Sequence, residues 1–347
     1  MIGFGQGWIK TYGDNYEQAG NTVQETTDGG YMVTGFDDVF GNGNLNALWM
    51  KYDTQGNILW NKNYGTNSWA ERAFCGQQTS DGGYVMCGYS STLPNTKKGI
   101  IIKTDTQGDT LWTRNYLNNN FRKIRQTNDG GYILCGDSSS GIIKKVDNSG
   151  YEQWTKMFHI SPRCVEQTND GGYIIGFDSL SNNINSPFII KTDFNGMPVW
   201  NKLYNYDSSE KKTIRCIKST VNGYIVGLDE GLINIDNIGD TIWSKKYFQN
   251  DFDVECRFIG HQISDNGGYV LVGGIADTSD NMNAIILKVD DYGNMQWNRI
   301  YDVNLTDDLF SVDQTLDGGY IMTGSTTSAQ NYFDVLTIKT DSQGNIT

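Results

Sequence analysis

Histidine is almost missing from this chain: only His159 and His261 occur in 347 residues. A His-rich metal centre is therefore excluded, and a Ser-His-Asp triad would have to use one of these two. Proline is scarce, with four residues, and only 19% of the chain is charged. Cations are the minority: 27 Lys and Arg face 40 Asp and Glu, a formal net charge of −13. An acidic surface repels a nucleic-acid backbone and an anionic bilayer alike, so neither is expected as the bulk partner. No apolar run approaches the ~20 residues that span a bilayer, so no membrane insertion is expected. No charged segment followed by an apolar stretch precedes the first repeat, so no signal peptide is expected. Helical periodicity is absent, and with it any glycine-rich phosphate loop opening a helix. The six cysteines (Cys75, Cys87, Cys135, Cys164, Cys216 and Cys256) form no CxxC and no cluster, so no metal site is expected of them. All six fall in expected strands, where they read as small buried thiols. Cys75 and Cys87, on two strands of one hairpin, are the pair placed for a disulfide.

What the chain does have is repetition. Lys103-Thr104-Asp105-Thr106-Gln107-Gly108 has counterparts starting at Lys51, Lys145, Lys191, Asn234, Lys288 and Lys339, each with Asp two residues on and Gly three after that. Trp60, Trp112, Trp154, Trp200, Trp243 and Trp297 follow four residues past the glycine, and Trp8 opens the chain in the same context. Four residues beyond each tryptophan stands another aromatic: Tyr12, Tyr64, Tyr116, Phe158, Tyr204, Tyr247 and Tyr301. A second motif, Asp-Gly-Gly-Tyr, recurs around Tyr31, Tyr84, Tyr132, Tyr173, Tyr224, Tyr269 and Tyr320, one glycine short at Tyr224. Paired glycines after Asp suit tight hairpins, because glycine takes positive φ without steric cost.

Each unit reads as four short strands: one ending in Gln-Thr or a variant, the Asp-Gly-Gly-Tyr turn, a second strand, a variable link, a third strand, the Asp-x-x-Gly turn and a fourth strand carrying the tryptophan. The tyrosine anchors recur at intervals of 41 (Tyr132 to Tyr173) to 53 residues (Tyr31 to Tyr84), the size of a propeller blade. The chain starts on a fourth strand, Trp8 to Tyr12, and finishes on a third strand and its turn, so the N-terminal strand is expected to complete the last blade. The expected fold is all-β: one domain over residues 1–347, a closed seven-bladed β-propeller of four-stranded antiparallel blades.

The pattern Lys-x-Asp-x-x-Gly-Asn/Asp-x-x-Trp is similar to the tryptophan-docking repeat of quinoprotein-type propellers, with a turn one residue shorter. With Asp-Gly-Gly-Tyr it resembles the repeat propellers of bacterial and archaeal surface and secreted proteins. The resemblance covers essentially the whole chain. It implies the fold, and an extracytoplasmic setting at a cell surface or in secretion, but no particular chemistry, since propellers host enzymes, binders and scaffolds. No feature beyond the docking repeat points to a quinone, and no cofactor is expected.

Residues repeated in every blade read as scaffold, with the aromatics packing between neighbouring sheets and the turn aspartates accepting hydrogen bonds from their own turns. One carboxylate per turn falls short of the oxygens calcium wants, so no metal is expected there. Function is sought where repeats disagree, on the links Asp37 to Asn46, Ser90 to Lys98, Ser179 to Pro187, Ala276 to Asn283 and Thr326 to Tyr332.

One column of the first strands, expected to line the channel, disagrees most. Four residues before each Gln or its substitute stand Asn21, Phe74, Arg122, Arg163, Arg215, Phe258 and Phe310. Three arginines in consecutive blades, with Lys123 and Arg125 beside them, form the one basic cluster of an acidic chain. Arginine forks suit carboxylate, sulfate or phosphate, and Phe74, Phe258 and Phe310 would make the rest of the wall apolar. The competing reading is that these arginines pair with acids such as Glu166 and hold the ring together. His261 is expected in register with Gln24, Gln77, Arg125, Glu166, Lys218 and Asp313, as a polar residue of the channel.

An arginine cluster at a propeller mouth resembles that of sialidases, but their repeat spacing differs and no Tyr nucleophile with a Glu partner is assignable. The leading reading is a non-enzymatic, monomeric binding or scaffold propeller presenting its loop face to a glycan, peptide or protein. The alternative is a hydrolase or lyase acting on an anionic sugar at the arginines, which requires two carboxyls facing them.

Overall fold

The computed structural model of the protein describes residues 7–39, 45–65, 70–91, 97–181, 184–204, 213–248, 256–265, 267–277, 281–327 and 332–346. Strand β1 (Trp8–Tyr12) comes first. Blade 1 follows as β2 (Gln18–Glu25), β3 (Tyr31–Asp37), β4 (Asn46–Tyr52) and β5 (Ile58–Tyr64), and blade 2 as β6 (Ala70–Gln78), β7 (Tyr84–Ser91), β8 (Lys97–Thr104) and β9 (Thr110–Leu117). Blade 3 is β10 (Asn120–Gln126), β11 (Tyr132–Asp137), β12 (Gly141–Val146) and β13 (Glu152–Phe158). Blade 4 is β14 (Pro162–Gln167), β15 (Tyr173–Ser181), β16 (Ile184–Thr192) and β17 (Pro198–Leu203). Blade 5 is β18 (Ile214–Thr220), β19 (Gly223–Leu228), β20 (Gly231–Asp236) and β21 (Thr241–Lys246). Blade 6 is β22 (Cys256–Ile263), β23 (Tyr269–Ala276), β24 (Met282–Val289) and β25 (Met295–Tyr301), and blade 7 is β26 (Asp307–Gln314), β27 (Tyr320–Thr327) and β28 (Phe333–Thr340). Each blade is a four-stranded antiparallel sheet in chain order, and β1 pairs with β28 to complete blade 7. This is the strand set of a seven-bladed β-propeller. Among the described residues no helix is long and apolar enough to cross a membrane. The chain divides into two compact units, Met1–Gln78 with Ser90–Asn95 and Phe248–Thr347, and Thr79–Tyr89 with Thr96–Tyr247.

The two glycines of each Asp-Gly-Gly-Tyr turn serve different ends. The first takes positive φ: Gly130 stands at +80°, with open space where a Cβ would be. The second makes room, since a Cβ at Gly131 would lie 2.4 Å from the Val146 carbonyl and 2.5 Å from Lys145 Nζ. Through that gap the repeated lysine reaches the turn aspartate, in the pairs Lys51–Asp28, Lys103–Asp81, Lys145–Asp129, Lys191–Asp170 and Lys339–Asp317. Each aspartate also accepts from the preceding threonine hydroxyl and the second glycine's N–H, as Asp129 does from Thr127 at 2.5 Å and Gly131 at 3.0 Å. In blade 5 both charges are gone together: Asn222 stands for the aspartate and Asn234 for the lysine. The second turn is locked as expected, Asp147 Oδ1 accepting from Ser149 N–H at 2.9 Å and Tyr151 N–H at 2.8 Å.

Within each unit, neighbouring blades are joined by three devices. First, the tryptophan of one blade lies on the turn glycine of the next and against its tyrosine. Trp112 meets Gly150 and Tyr132, Trp154 meets Gly196 and Tyr173, and Trp297 meets Gly344 and Tyr320. The aromatic four residues on donates its hydroxyl to the same glycine's carbonyl, Tyr204 to Gly239 and Tyr301 to Gly344, both at 2.7 Å. Second, a cation two residues past each of the seven repeat tryptophans (Lys10, Lys62, Arg114, Lys156, Lys202, Lys245 and Arg299) is a further repeat that the motifs above do not include. Its stem packs on that glycine, as Arg114 does on Gly150 and Arg299 on Gly344, which keeps a charged head wet over an apolar contact. Third, the Gln of Gln-Thr accepts a backbone N–H from the preceding blade's turn: Gln126 from Ser80 and Gln167 from Asn128, both at 2.8 Å, and Gln78 from Thr27 at 2.9 Å. The core lies between the sheets, built from alternating β-strand residues such as Ile133, Cys135, Ile143, Val165 and Ile175.

The described cysteines are the small buried thiols expected: Cys75 and Cys87, the one pair placed for a disulfide, are free and buried like Cys135, Cys164 and Cys216; the side chain of Cys256 lies outside the described residues. One expectation is corrected. The segment Ser179 to Pro187 is largely strand, since β15 and β16 pair out to Ser181 and Ile184. Of the other variable links, 40–44, 92–96, 278–280 and 328–331 lie outside the described residues.

Two substitutions separate φ strain from close contact. Gly130→Ala is expected to cost about 1 kcal/mol, the left-handed φ alone. Gly150→Ala, at the same φ of +80° but with its Cβ 2.7 Å from Arg114 Cγ and 2.8 Å from Trp112, is expected to cost about 3 kcal/mol. Equilibrium denaturation reads the difference. Asp129→Asn, which strands the buried Lys145 charge, is expected to be more destabilising than Asp129→Asn combined with Lys145→Asn, the pair blade 5 already carries.

Candidate functional site

The arginine column falls on a backbone feature that recurs from blade to blade. In β2, β10, β14, β18, β22 and β26 the pairing with the second strand skips one residue, between Gly20/Thr22, Phe121/Lys123, Pro162/Cys164, Ile214/Cys216, Phe258/Gly260 and Leu309/Ser311. The skipped residues are Asn21, Arg122, Arg163, Arg215, Ile259 and Phe310. A β-bulge leaves one residue unpaired and re-aims its side chain, and bulges gather beside functional sites. The three arginines are thus the bulge residues of three adjoining first strands, β10, β14 and β18, all in the second unit.

The register of blade 6 differs from the sequence alignment by one residue. Ile263 pairs with Tyr269, and Ser264 bonds the Gly268 carbonyl as the threonine does elsewhere. Ile263 therefore takes the place of the clamp glutamine, and Gln262 that of Arg125, Glu166 and Lys218. Phe258 consequently moves off the bulge into the core column of Phe121 and Leu309, fully buried, and does not line a site. His261 moves from the polar column into that of Ile124 and Val165, and its side chain lies outside the described residues. Phe74 and Phe310 are half-buried and belong, with Phe258 and His261, to the first unit. Arg122, Lys123, Arg125, Arg163 and Arg215 belong to the second.

In that unit β10, β14 and β18 carry six cationic residues, Arg122, Lys123, Arg125, Arg163, Arg215 and Lys218, and one acid, Glu166. Glu166 is clamped between its neighbours: Lys218 Nζ lies 2.9 Å and Arg125 Nε 3.1 Å from the same carboxylate oxygen. Burial opposes ionisation, but Lys218 and Arg125 together hold the carboxyl down to about 2. Arg122 gives Nε to Asp137 at 2.8 Å and a second nitrogen to the same oxygen at 2.6 Å. Arg215 bonds Asp229 through Nε, and Arg163 has a contact of its own. Asp137, Asp178 and Asp229 stand five residues past Tyr132, Tyr173 and Tyr224, where the other blades have Phe36, Tyr89, Gly274 and Ser325. An Asp column thus accompanies the Arg column blade for blade, a signal readable in the sequence only once the two strands are aligned. The side chain of Asp178 lies outside the described residues.

A guanidinium has five N–H donors, and Asp137 takes two of those on Arg122, whose side chain is 35% exposed. Asp137 and Asp229 fix the forks of Arg122 and Arg215 and leave donors over. Lys123 adds a cation without an ion-pair partner among the described residues. The thiols nearby are inert: burial, then Cys135 and Cys216, push Cys164 well above its ordinary value, and burial raises Cys216 to about 11. No group of His, Cys, Asp and Glu that could hold a metal occurs among the described residues.

No family model matches the chain, and no curated protein matches it. Solved structures do. It is similar to a protein of unknown function from Bacteroides caccae, at 14% identity over 76% of this chain and 92% of that one, with a TM-score of 0.50. It is similar to BamB from Moraxella catarrhalis at 12% identity over 96% of both chains, TM-score 0.52, and to the Dos1 propeller at 12% over 95% of both, TM-score 0.55. At such identities the likeness carries the propeller fold alone.

The Glu166 cluster sets a pH dependence. Its carboxyl is depressed from an unfolded value near 4.3, so its contribution is present above that value and is lost as pH falls toward about 2. Glu166→Gln is expected to lower stability by about 3 kcal/mol at pH 7. The gap to the wild type should close between about pH 5 and pH 2, measured by urea unfolding across that range.

Proposed function

We propose that the protein is a non-catalytic binding propeller that holds an anionic group of a glycan, peptide or protein at Arg122, Arg163 and Arg215. The observation that carries this reading is the placement of three arginines at the bulges of three adjoining strands, two of them with an Asp that steers the fork, Asp137 for Arg122 and Asp229 for Arg215. A fork already oriented loses little freedom when a second carboxylate or sulfate arrives. Ion pairs serving only the ring would need no surplus of cations. Glu166, the acid of these strands, is held ionised near 2 and makes a poor proton donor at neutral pH, which favours binding over sugar hydrolysis.

An extracytoplasmic setting, at a cell surface or secreted, goes with this reading. The described thiols are buried and carry no disulfide, so an oxidising compartment would find nothing to attack. The test is a thermal-shift screen with uronic-acid oligomers, sialic acid, sulfated glycans and acidic peptides. An acidic ligand is expected to raise Tm, and Arg122→Ala with Arg163→Ala and Arg215→Ala to abolish the shift. A triple variant that melts much earlier, with no anion shifting the wild type, would reduce the arginines to internal ion pairs.

A further inference from the structure

The three blades of the arginine cluster end their second-to-third-strand hairpins at different heights. In blade 3, β10 pairs with β11 out to Asn120↔Asp137, and β11 turns through Ser138–Ser140 into β12 at Asp137↔Gly141. In blade 5, Ile214↔Leu228 and Leu228↔Gly231 close the sheet at one level. Both hairpins are flush with their first strands. Blade 4 is not. Pairing of β14 with β15 stops at Pro162↔Phe177, while β15 and β16 continue through Asp178↔Pro187, Ser179↔Ser186 and Leu180↔Asn185 to Ser181↔Ile184. Residues Asp178–Ser181 and Ile184–Ser186 therefore form a two-stranded ribbon that no third strand joins among the described residues. It rises from the end of β14 that carries Arg163, between flush blades that carry Arg122 and Arg215.

The two edges of this arm are not equivalent. The Tyr204 N–H bonds the Pro187 carbonyl at 2.8 Å, so Pro187 directs its backbone away from β15. In an antiparallel ladder, pairs alternate between facing each other and facing outward. Asp178↔Pro187 is thus an outward pair, and so is Leu180↔Asn185 two residues on. On the β17 side, Pro187 has no N–H to offer. On the β14 side, Asp178 and Leu180 present the N–H and C=O groups of a strand edge. Native edges are ordinarily blunted by Lys, Pro, a bulge or a covering segment. Asp178-Ser179-Leu180-Ser181 holds neither Lys nor Pro, pairs without a bulge and is joined by no strand on its β14 side among the described residues, and such an edge recruits an added strand.

We propose that the occupant of the arginine column is an extended acidic peptide, which adds as an antiparallel strand to the β15 edge at Asp178–Ser181. This rests on the anion-binding reading above and deepens it. The added strand would lie in line with β14. Alternate side chains of an extended chain repeat about every 6.8 Å along one face, so one line of carboxylates runs toward Arg163 and its neighbours. The backbone edge supplies pairing that is indifferent to sequence. The surplus of cations over acids on β10, β14 and β18 selects for acidic strands, and a free glycan has no N–H ladder to offer the edge.

The test is fluorescence anisotropy on the full chain with a labelled decapeptide of alternating Glu and Thr, its analogue N-methylated on alternate residues, and a labelled oligogalacturonate. N-methylation leaves the charge and removes backbone donors. The expected result is that the plain peptide binds, and that N-methylation weakens it at least about tenfold. Leu180→Pro removes an outward N–H without touching the arm's own ladder, and should weaken the plain peptide similarly while leaving oligogalacturonate unchanged. A second variant with residues 179–186 replaced by a Ser-Ser-Ser link, as in blade 3, should behave like Leu180→Pro. If peptide and oligogalacturonate both bind, and neither N-methylation nor the arm variants matter while the triple arginine variant abolishes both, the anion site stands and the strand addition is overturned. Absence of binding by either probe would overturn both.

Discussion

Each unit rests on one contact repeated from blade to blade: an indole of one blade lying on the α-carbon of the next blade's turn glycine. It fixes both partners at once. The glycine must be glycine for its left-handed φ and because a side chain would occupy the space of the ring, as Gly150 does for Trp112 and Gly344 for Trp297. The turn aspartate must hold the loop so that the glycine presents its bare face. The aromatic four residues on then ties its hydroxyl to the same glycine's carbonyl. Burial of large rings supplies the energy and the turn supplies the geometry, so the unit can repeat with little regard for the rest of the sequence.

That division of labour frees other positions. With the tryptophan on the outer strand and the glutamine clamp at one end of the inner strand, the bulge near the strand's start has no structural duty common to all blades. It carries Asn21 in blade 1, where the side-chain amide bonds the Ala73 carbonyl at 2.7 Å, Phe310 in blade 7 and arginine in blades 3, 4 and 5. Blade 5 also gives up its lysine, its turn aspartate and its clamp glutamine, replaced by Asn234, Asn222 and Ser219, with Asn234 Oδ1 and Ser219 Oγ buried and unpartnered. It keeps Trp200 of blade 4 on Gly239. The indole contact is retained where the lysine–aspartate pair and the glutamine clamp are not.

The blades, their strand order and the pairing of β1 with β28 were legible because each rests on local chemistry: Asp-Gly-Gly-Tyr, Asp-x-x-Gly and a tryptophan at fixed spacing. The arginine column was legible for the same reason. The bulge beneath it was not, since an unpaired residue leaves no mark on a single strand. Phe258 and His261 were misplaced for a different reason: blade 6 ends its inner strand in Ile263-Ser264, and aligning on Gln262 moved every earlier residue across the sheet, which turns a core phenylalanine into a wall residue. The companion aspartates and the overhanging β15–β16 arm were missed because both depend on cross-strand register. Asp137 lies 15 residues from Arg122 in sequence and beside it in the sheet.

The central claim, that the bulge arginines of β10, β14 and β18 receive an anion, is tested most directly by anomalous diffraction from crystals of the protein soaked in selenate, a tetrahedral dianion with its own absorption edge. The account predicts a selenium peak placed so that the selenate oxygens lie within hydrogen-bonding distance of the guanidinium of Arg163 and of at least one of Arg122 and Arg215, with Asp137 and Asp229 still bonded to their arginines. Selenate peaks elsewhere on the surface and none at this column would contradict it.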